Sequence, residues 1–144
     1  MQKSDGQSPL VLHASCVAWK GRGLILVGPS GSGKSTTALH LMAFGADLVA
    51  DDRTELFSSD GLWARAPDAI RGLIEARGMG LLSARTAGPV RVALVADLGR
   101  AEDQRLPPHR TVTFLGETLP LVLCGGGGPY PAALLQYLKE GRSA

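Results

Sequence analysis

The residues best suited to chemistry form the stretch Gly28-Pro-Ser-Gly-Ser-Gly-Lys34-Ser35, which matches the pattern G-x-x-x-x-G-K-[ST] throughout. Glycines let a backbone approach phosphate groups closely and turn several N–H groups toward them. A lysine at this position reaches the β- and γ-phosphates, and the hydroxyl that follows binds Mg²⁺. The stretch therefore predicts a P-loop for a nucleoside triphosphate, with the binding residues Gly28, Pro29, Ser30, Gly31, Ser32, Gly33, Lys34, Ser35 and Thr36.

Carboxylates supply the second set of candidate groups. Asp51 and Asp52 end a short apolar run, at the strand end where open α/β sheets place ligands. A strand that follows a P-loop helix tends to lie close to the P-loop strand, so either acid could be the base or metal partner near the γ-phosphate. A strand ending in a turn would also produce such a pair. Asp97 ends another apolar run and competes as a Walker B-like acid, while Glu75 could bind Mg²⁺.

The flanks of the glycine loop predict the elements that would hold these groups in place. Leu24-Ile-Leu-Val27 is typical of a buried strand, and Thr36 to Phe44 has helical spacing that stops at Gly45. Strand, loop and helix thus come in the order that phosphate binding needs, because the helix directs its positive end at the same anion. An accidental glycine-rich turn or a dinucleotide fingerprint would explain this order less well.

The rest of the chain reads as short strands, loops and one closing helix. Residues 9–19 predict a hairpin leading into the P-loop strand, and residues 53–66 predict a second hairpin around the turn 58–61. We interpret residues 74–82 as one extended segment, with Glu75 and Arg77 on the same side. Further predictions are a strand at 89–97, a polar loop at 101–109, strands near 111–115 and 119–124, and a helix at 130–140.

Length and composition set limits on the class of protein. A chain of 144 residues, 44% hydrophobic and 19% charged, predicts one globular domain. The polar N-terminus resembles no signal peptide and no apolar run is long enough to span a membrane, so we expect a cytoplasmic protein. Cys16 and Cys124 have no ligand partners nearby and are expected to be buried thiols. No basic run with interleaved aromatic residues suggests nucleic acid.

Together these motifs resemble the catalytic domain of bacterial HPr kinase/phosphorylase, in a short form without the family's N-terminal domain. The resemblance rests on the Gly28–Ser35 loop, on Val49-Ala-Asp51-Asp52 at the family's spacing behind it, and on Glu75-Ala-Arg-Gly-Met-Gly80, which is similar to the family signature. It implies an α/β P-loop-containing kinase domain over residues 1–144, with a core related to that of phosphoenolpyruvate carboxykinases. It also implies ATP and Mg²⁺ as cofactors.

The same resemblance implies an activity and a role for each matching residue. The family uses ATP to phosphorylate a serine of HPr, a phosphocarrier protein, and can reverse this by phosphorolysis. Asp52 would be the general base and His13 an active-site histidine beside it. Lys34 would bind phosphate, and Ser35 and Glu75 would bind Mg²⁺. The remaining catalytic match is Arg105, and the expected partners are an HPr-like protein and further copies of the chain in a homo-oligomer, with no nucleic acid and no membrane.

Two departures from the family pattern concern the reverse reaction. Where the family carries an arginine-rich loop before its last helix, this chain has four consecutive glycines, Gly125 to Gly128. The segment between Leu82 and Pro89 is also shorter than the family's flexible loop. Phosphorolysis is therefore expected to be weak. Two alternatives stay open at this point, namely a regulatory ATP-binding module without catalysis and a small-metabolite kinase.

Overall fold

In the part of the chain that the structure describes, one nine-stranded sheet with two α-helices packed against it positions the candidate site. The computed structural model describes residues 8–126 and 130–144. The helices are α1 (Lys34–Ala43) and α2 (Pro131–Glu140), and one 3₁₀ turn spans Asp68–Ile70. The strands are β1 (Leu10–Leu12), β2 (Ser15–Trp19), β3 (Arg22–Val27), β4 (Asp47–Ala50), β5 (Thr54–Ser58), β6 (Leu62–Arg65), β7 (Leu73–Ala76), β8 (Gly80–Ser83), β9 (Val90–Asp97), β10 (Arg110–Phe114) and β11 (Glu117–Leu123).

The P-loop strand β3 lies in the middle of this sheet. The strand order is β1-β5-β6-β9-β3-β2-β4, and β11 pairs with both β9 and β10. Strand β3 runs parallel to β9, with Val27 opposite Asp97, and antiparallel to β2. Because β4 is also antiparallel to β2, it runs in the same direction as β3. The carboxyl ends of β3, β4 and β9 therefore meet at one edge of the sheet, where ligands bind in open α/β sheets.

Successive side chains along a strand point to opposite faces of the sheet, so the core consists of one cluster on each face. Leu24 and Leu26 of β3 belong to the cluster on the helix side, whereas Ile25 between them belongs to the cluster on the opposite side. Leu41 of α1 and Leu138 of α2 complete the helix-side cluster. A strand that is covered on both faces must be apolar throughout, which is what the run Leu24 to Val27 predicted.

Most predicted elements are confirmed within a residue or two. The strand before the loop, the helix after it, the hairpin at 54–65 and the C-terminal helix are all present. The first hairpin is placed differently, because β2 and β3 form it while β1 pairs with β5. Strand β4 is separated from β3 by β2, yet its end lies close to the P-loop as expected, since Asp51 Oδ1 is 2.6 Å from the Ser35 hydroxyl oxygen.

The interpretation of residues 74–82 as one extended segment is wrong. They form a two-stranded hairpin of β7 and β8, in which Glu75 lies opposite Leu81. The chain reverses at Gly78, which has a φ of 86°, and Met79 N–H closes the turn on the Ala76 carbonyl at 2.9 Å. Glycine tolerates such a positive φ, so Gly78 allows the chain to turn within the segment that was expected to be extended.

Both cysteines are free and buried, as expected. Burial raises the pKa of the Cys16 thiol to about 12. In the two described stretches, neither helix has the length and hydropathy that a membrane crossing requires.

Candidate active site

A cavity of about 520 Å³ opens at the carboxyl edge of the sheet, beside the P-loop. Its size is in the range of ordinary ligand sites. The lining residues come from the β1–β2 segment, from the loop and first turn of α1, from Asp52 after β4, from the β7–β8 hairpin and from the residues that follow β9 and β11. They are His13, Ser15, Ser30, Gly31, Ser32, Gly33, Lys34, Ser35, Thr36, Thr37, Asp52, Glu75, Arg77, Leu98, Cys124 and Gly126.

The loop has the backbone shape of an anion cradle. Gly31 and Gly33 have φ values of 84° and 97°, and a Cβ added to either glycine would meet no atom within 4 Å. No side chain caps the N-terminus of α1, so the first N–H groups of the helix are not capped by the protein. Such uncapped N–H groups, together with the helix dipole, favour a phosphate at this position. The chain therefore fits the phosphates of a nucleotide.

The backbone carbonyls of Gly28 and Pro29 fix the position of the Lys34 side chain. Lys34 Nζ donates hydrogen bonds to their carbonyls at 2.8 and 3.1 Å, and the lysine is only 7% exposed. A Cβ on Gly28 would lie 2.6 Å from the Ser32 hydroxyl oxygen, so only glycine fits there without a shift. Lys34 thus presents a fixed positive charge at the wall of the cavity.

Asp51 ties three parts of the site together. It is buried, and its Oδ1 accepts hydrogen bonds from the Ser35 hydroxyl at 2.6 Å and from the Ser15 hydroxyl at 2.7 Å. Its Oδ2 accepts the Glu75 backbone N–H at 3.0 Å. The P-loop helix, strand β2 and strand β7 therefore meet at one carboxylate. From the sequence, Asp51 was a candidate base or metal partner beside Asp52, and its contacts with three separate elements were not predicted.

Asp52 faces the cavity in a different way from its neighbour. Its side chain is 62% exposed and its Oδ1 lies 2.8 Å from Nε2 of His13, which itself is 51% exposed. The backbone of Asp52 has a φ of 71°, and the Arg53 N–H bonds to the Asp51 carbonyl across it at 2.8 Å. This is the pattern of the rarer, strained γ-turn, which costs about 1–3 kcal/mol. Strain of this kind is typical of functional sites.

The chain also offers oxygen ligands that suit Mg²⁺. The Ser35 hydroxyl donates a hydrogen bond to Asp51, so the lone pairs of its oxygen are available to a cation. The exposed Glu75 carboxylate lines the same cavity. In the described stretches, no three His, Cys, Asp or Glu side chains are grouped as in an all-protein metal site. Mg²⁺ is usually held by one or two carboxylates together with substrate phosphates and water, so these donors fit it.

Other predicted site residues lie apart from this cluster. Arg105 is exposed in the loop between β9 and β10 and is not among the cavity-lining residues of the described chain. Its predicted catalytic role stays a prediction. Asp97 accepts the Gly99 N–H at 2.8 Å at the end of β9. Of the glycine run, Gly125 and Gly126 are described, whereas Gly127 and Gly128 lie outside the described residues.

Cys124 lines the cavity, but its thiol is not reactive. Burial raises the pKa of its thiol to about 11, and the charge of Asp97 adds to this effect. At neutral pH the thiol is therefore protonated, and a protonated thiol is a poor nucleophile.

Comparisons with known proteins indicate the family to which the chain belongs. The family model described as HPr Serine kinase C-terminal domain matches residues 7–92. The HPr kinase/phosphorylase of Caldanaerobacter subterraneus is 43% identical over 94 residues, which cover 62% of this chain and 31% of that protein. The protein of the same name from Streptococcus equi subsp. zooepidemicus is 31% identical over 125 residues, which cover 77% of this chain and 40% of that protein.

A solved structure is similar over most of the fold. The structure of the Hpr(Ser) kinase/phosphatase from Coxiella burnetii matches with a TM-score of 0.76 and 25% identity, and the match covers 90% of this chain and 88% of that one. The chain spans about a third of the length of its first curated relatives. Since the family model covers more than half of the chain, the protein belongs to the HPr serine kinase C-terminal domain family.

Proposed function

We propose that this protein transfers the γ-phosphoryl group of ATP to a serine of HPr or of a closely related phosphocarrier protein. One observation carries the proposal: the Asp52–His13 pair opens onto the same cavity as the P-loop. Such a pair would supply a general base beside the proposed phosphate site, which phosphoryl transfer to a hydroxyl requires. The relatives named HPr kinase/phosphorylase support the choice of substrate.

Asp52 is the residue that we assign to the substrate hydroxyl. His13 lies at hydrogen-bonding distance from Oδ1, so Oδ2 is the oxygen that would accept the proton of the serine. With its Nε2 protonated, His13 would donate to Oδ1 and keep the carboxylate turned toward the cavity. The high exposure of both side chains leaves room for a protein substrate to approach.

The P-loop residues would bind and orient ATP. The uncapped N-terminus of α1 and the glycine N–H groups would hold the phosphates, while Lys34 would offset charge on the group being transferred. Ser35 and Glu75 would hold Mg²⁺, whose positive charge would offset that of the phosphates. In this proposal the fold is a P-loop kinase domain with a core related to phosphoenolpyruvate carboxykinases, and the predicted cytoplasmic location and homo-oligomeric assembly are retained.

Two other functions are weighed against this one. A regulatory ATP-binding module would need the cradle but no base, whereas this chain pairs His13 with Asp52 at the mouth of the cavity. A small-metabolite kinase would need a closed pocket for its substrate, whereas Asp52 is 62% exposed. The first observation favours a catalytic role, and the second favours a protein substrate.

A transfer assay separates the three functions. The protein is incubated with labelled ATP and Mg²⁺, either with HPr or with a panel of hydroxyl-bearing metabolites. The proposal predicts label on HPr and none on metabolites. Label on a metabolite alone would indicate a metabolite kinase, and ATP binding without transfer to any acceptor would indicate a regulatory module.

A further inference from the structure

Ser15 is a buried hydroxyl within an apolar strand. It is 0% exposed, and its neighbours Ala14, Cys16 and Val17 in or beside β2 belong to the buried core. Burying a hydroxyl is unfavourable unless it is hydrogen-bonded. The hydrogen-bond partners of this hydroxyl therefore indicate its structural role.

Those partners are the two acids at the end of β4. The Ser15 hydroxyl donates to Oδ1 of Asp51 at 2.7 Å and accepts the backbone N–H of Asp52 at 3.4 Å. Both bonds can form at once, because a hydroxyl carries one proton and two lone pairs. The pairing of β2 with β4 brings them together, since Cys16 lies opposite Ala50, just before the two acids.

Three consecutive residues of the β1–β2 segment hold Asp52 at three points. His13 contacts its carboxylate, Ala14 donates its N–H to the Asp52 carbonyl at 3.1 Å, and Ser15 accepts the Asp52 N–H. Packing cannot fix the direction of a side chain that is 62% exposed. The positive φ of the residue also has to be maintained against its strain. The contacts of Ala14 and Ser15 therefore fix the backbone from which the carboxylate projects, while His13 contacts the carboxylate itself.

We infer that Ser15 is a positioning residue for phosphoryl transfer, an inference that rests on the proposed function. Its hydroxyl keeps Asp52 in the strained turn that directs the carboxylate into the cavity. The same hydroxyl holds Asp51, and Asp51 in turn holds the Ser35 hydroxyl. One buried side chain thus coordinates the base with the predicted metal ligand without itself touching the reacting atoms.

The test compares Ser15→Ala with a control that removes another buried hydroxyl. Thr54 is also 0% exposed, but its hydroxyl donates to the Ala14 carbonyl at 2.9 Å and contacts neither acid. We expect Ser15→Ala to lower kcat for transfer to HPr by about 10- to 100-fold, because misplacing a catalytic group by about 1 Å has an effect of this size. The affinity for ATP without Mg²⁺, measured by calorimetry, should change by less than about twofold, since the P-loop itself is intact.

Thr54→Val should lower stability without lowering kcat per folded molecule. Ser15→Thr and Ser15→Val form a second matched pair, which differs only in the hydroxyl and tests the same point if Ser15→Ala fails to fold. Transfer should be higher in Ser15→Thr than in Ser15→Val by about 10-fold or more.

Each outcome bears on a distinct claim. If the wild-type protein transfers no phosphate to HPr, the proposed function fails and this inference fails with it. If the wild type is active and Ser15→Ala keeps its kcat, or if Thr and Val at position 15 are equally active, the positioning role alone is overturned. Equal losses of kcat per folded molecule in Ser15→Ala and Thr54→Val would overturn it as well.

Discussion

At the scale of single residues, Lys34 is the side chain whose charge the reaction should need most. Its Nζ donates a hydrogen bond to the Gly28 carbonyl oxygen, 2.8 Å away, at the wall of the cavity. We expect Lys34→Ala to lower transfer by about 10²-fold or more, because catalysis of phosphoryl transfer is mostly positioning and charge stabilisation. The measurement is the initial rate of phosphate transfer to HPr at saturating ATP.

A matched lysine on α2 provides the control. The Nζ of Lys139 lies 4.4 Å from the centre of the Trp19 ring. Lys139 is not among the described residues that line the cavity. Lys139→Ala should therefore leave the rate unchanged. Unchanged turnover in Lys34→Ala would remove the basis for the P-loop assignment.

The acids can be separated by replacing each with its amide. Asn at position 52 keeps an oxygen for His13 but cannot take a proton, so Asp52→Asn should lower transfer by about 10²- to 10⁴-fold while Mg-ATP still binds. Glu75→Gln should also raise the Mg²⁺ concentration needed for activity. The readouts are kcat, ATP affinity and the Mg²⁺ dependence of the rate.

Asp97→Asn serves as the control for the acids. Its Oδ1 accepts the Gly99 N–H, and an asparagine oxygen can accept the same bond. We therefore expect little change in rate. If Asp97→Asn abolishes transfer and Asp52→Asn does not, a conventional Walker B arrangement replaces the assignment of Asp52.

At the scale of secondary-structure elements, α2 supplies three buried leucines, Leu134, Leu135 and Leu138, to the helix-side core. Leu138 is 1% exposed, whereas Gln136 on the same helix is exposed. Leu138→Ala should lower the free energy of unfolding by about 2–5 kcal/mol, because it removes buried methyl groups and leaves a cavity. Gln136→Ala should change it by less than about 0.5 kcal/mol.

Urea unfolding followed by circular dichroism measures both variants. Equal stability of Leu138→Ala and the wild type would show that α2 does not belong to the core. Because α2 also contacts α1, such a result would remove one of the elements that support the P-loop helix.

The P-loop and the elements around it could be predicted from the sequence because their signals are local. A glycine loop between an apolar run and a helical pattern defines its own geometry, and adjacent acids at a strand end point to the ligand edge. Membership of the HPr serine kinase family, inferred from the Gly28 loop, Asp52 and Glu75, is confirmed. The mixed α/β class is confirmed as well.

What could not be predicted depends on pairing between distant segments. The hairpin at Gly78 was missed because a glycine in a strand-like run is compatible with either a bulge or a turn, and only tertiary contacts decide between them. The role of Asp51 arises from three donors on three different elements. The spacing of residues along the chain does not predict that these three donors contact one carboxylate. The roles of Arg105 and of residues 127–128 stay predictions.

At the scale of the whole molecule, the balance between forward and reverse reactions depends on the loop before α2. Phosphorolysis needs inorganic phosphate aligned against phosphoserine, which arginine clusters bind best. Arg77 is the one arginine among the described residues that line the cavity. A Cβ on Gly125 would lie within 2.9 Å of backbone atoms of Arg100, so a larger residue does not fit there without a shift.

We therefore expect the protein to act chiefly as a kinase, with a reverse reaction slower than the forward one. The measurement supplies serine-phosphorylated HPr with millimolar phosphate and follows the release of pyrophosphate. Release as fast as the forward transfer would show that the glycine run has no effect on the direction of the reaction.

The central claim, that Asp52 activates a serine of a phosphocarrier protein toward ATP, is tested most directly by mapping the transferred phosphate. Wild-type protein and Asp52→Asn are each mixed with labelled ATP, Mg²⁺ and each candidate carrier, and the labelled residue is identified by mass spectrometry. We predict that the wild type labels one serine of HPr or its relative and that Asp52→Asn leaves that serine unlabelled. Label on a residue other than serine, or equal labelling by both proteins, would contradict the claim.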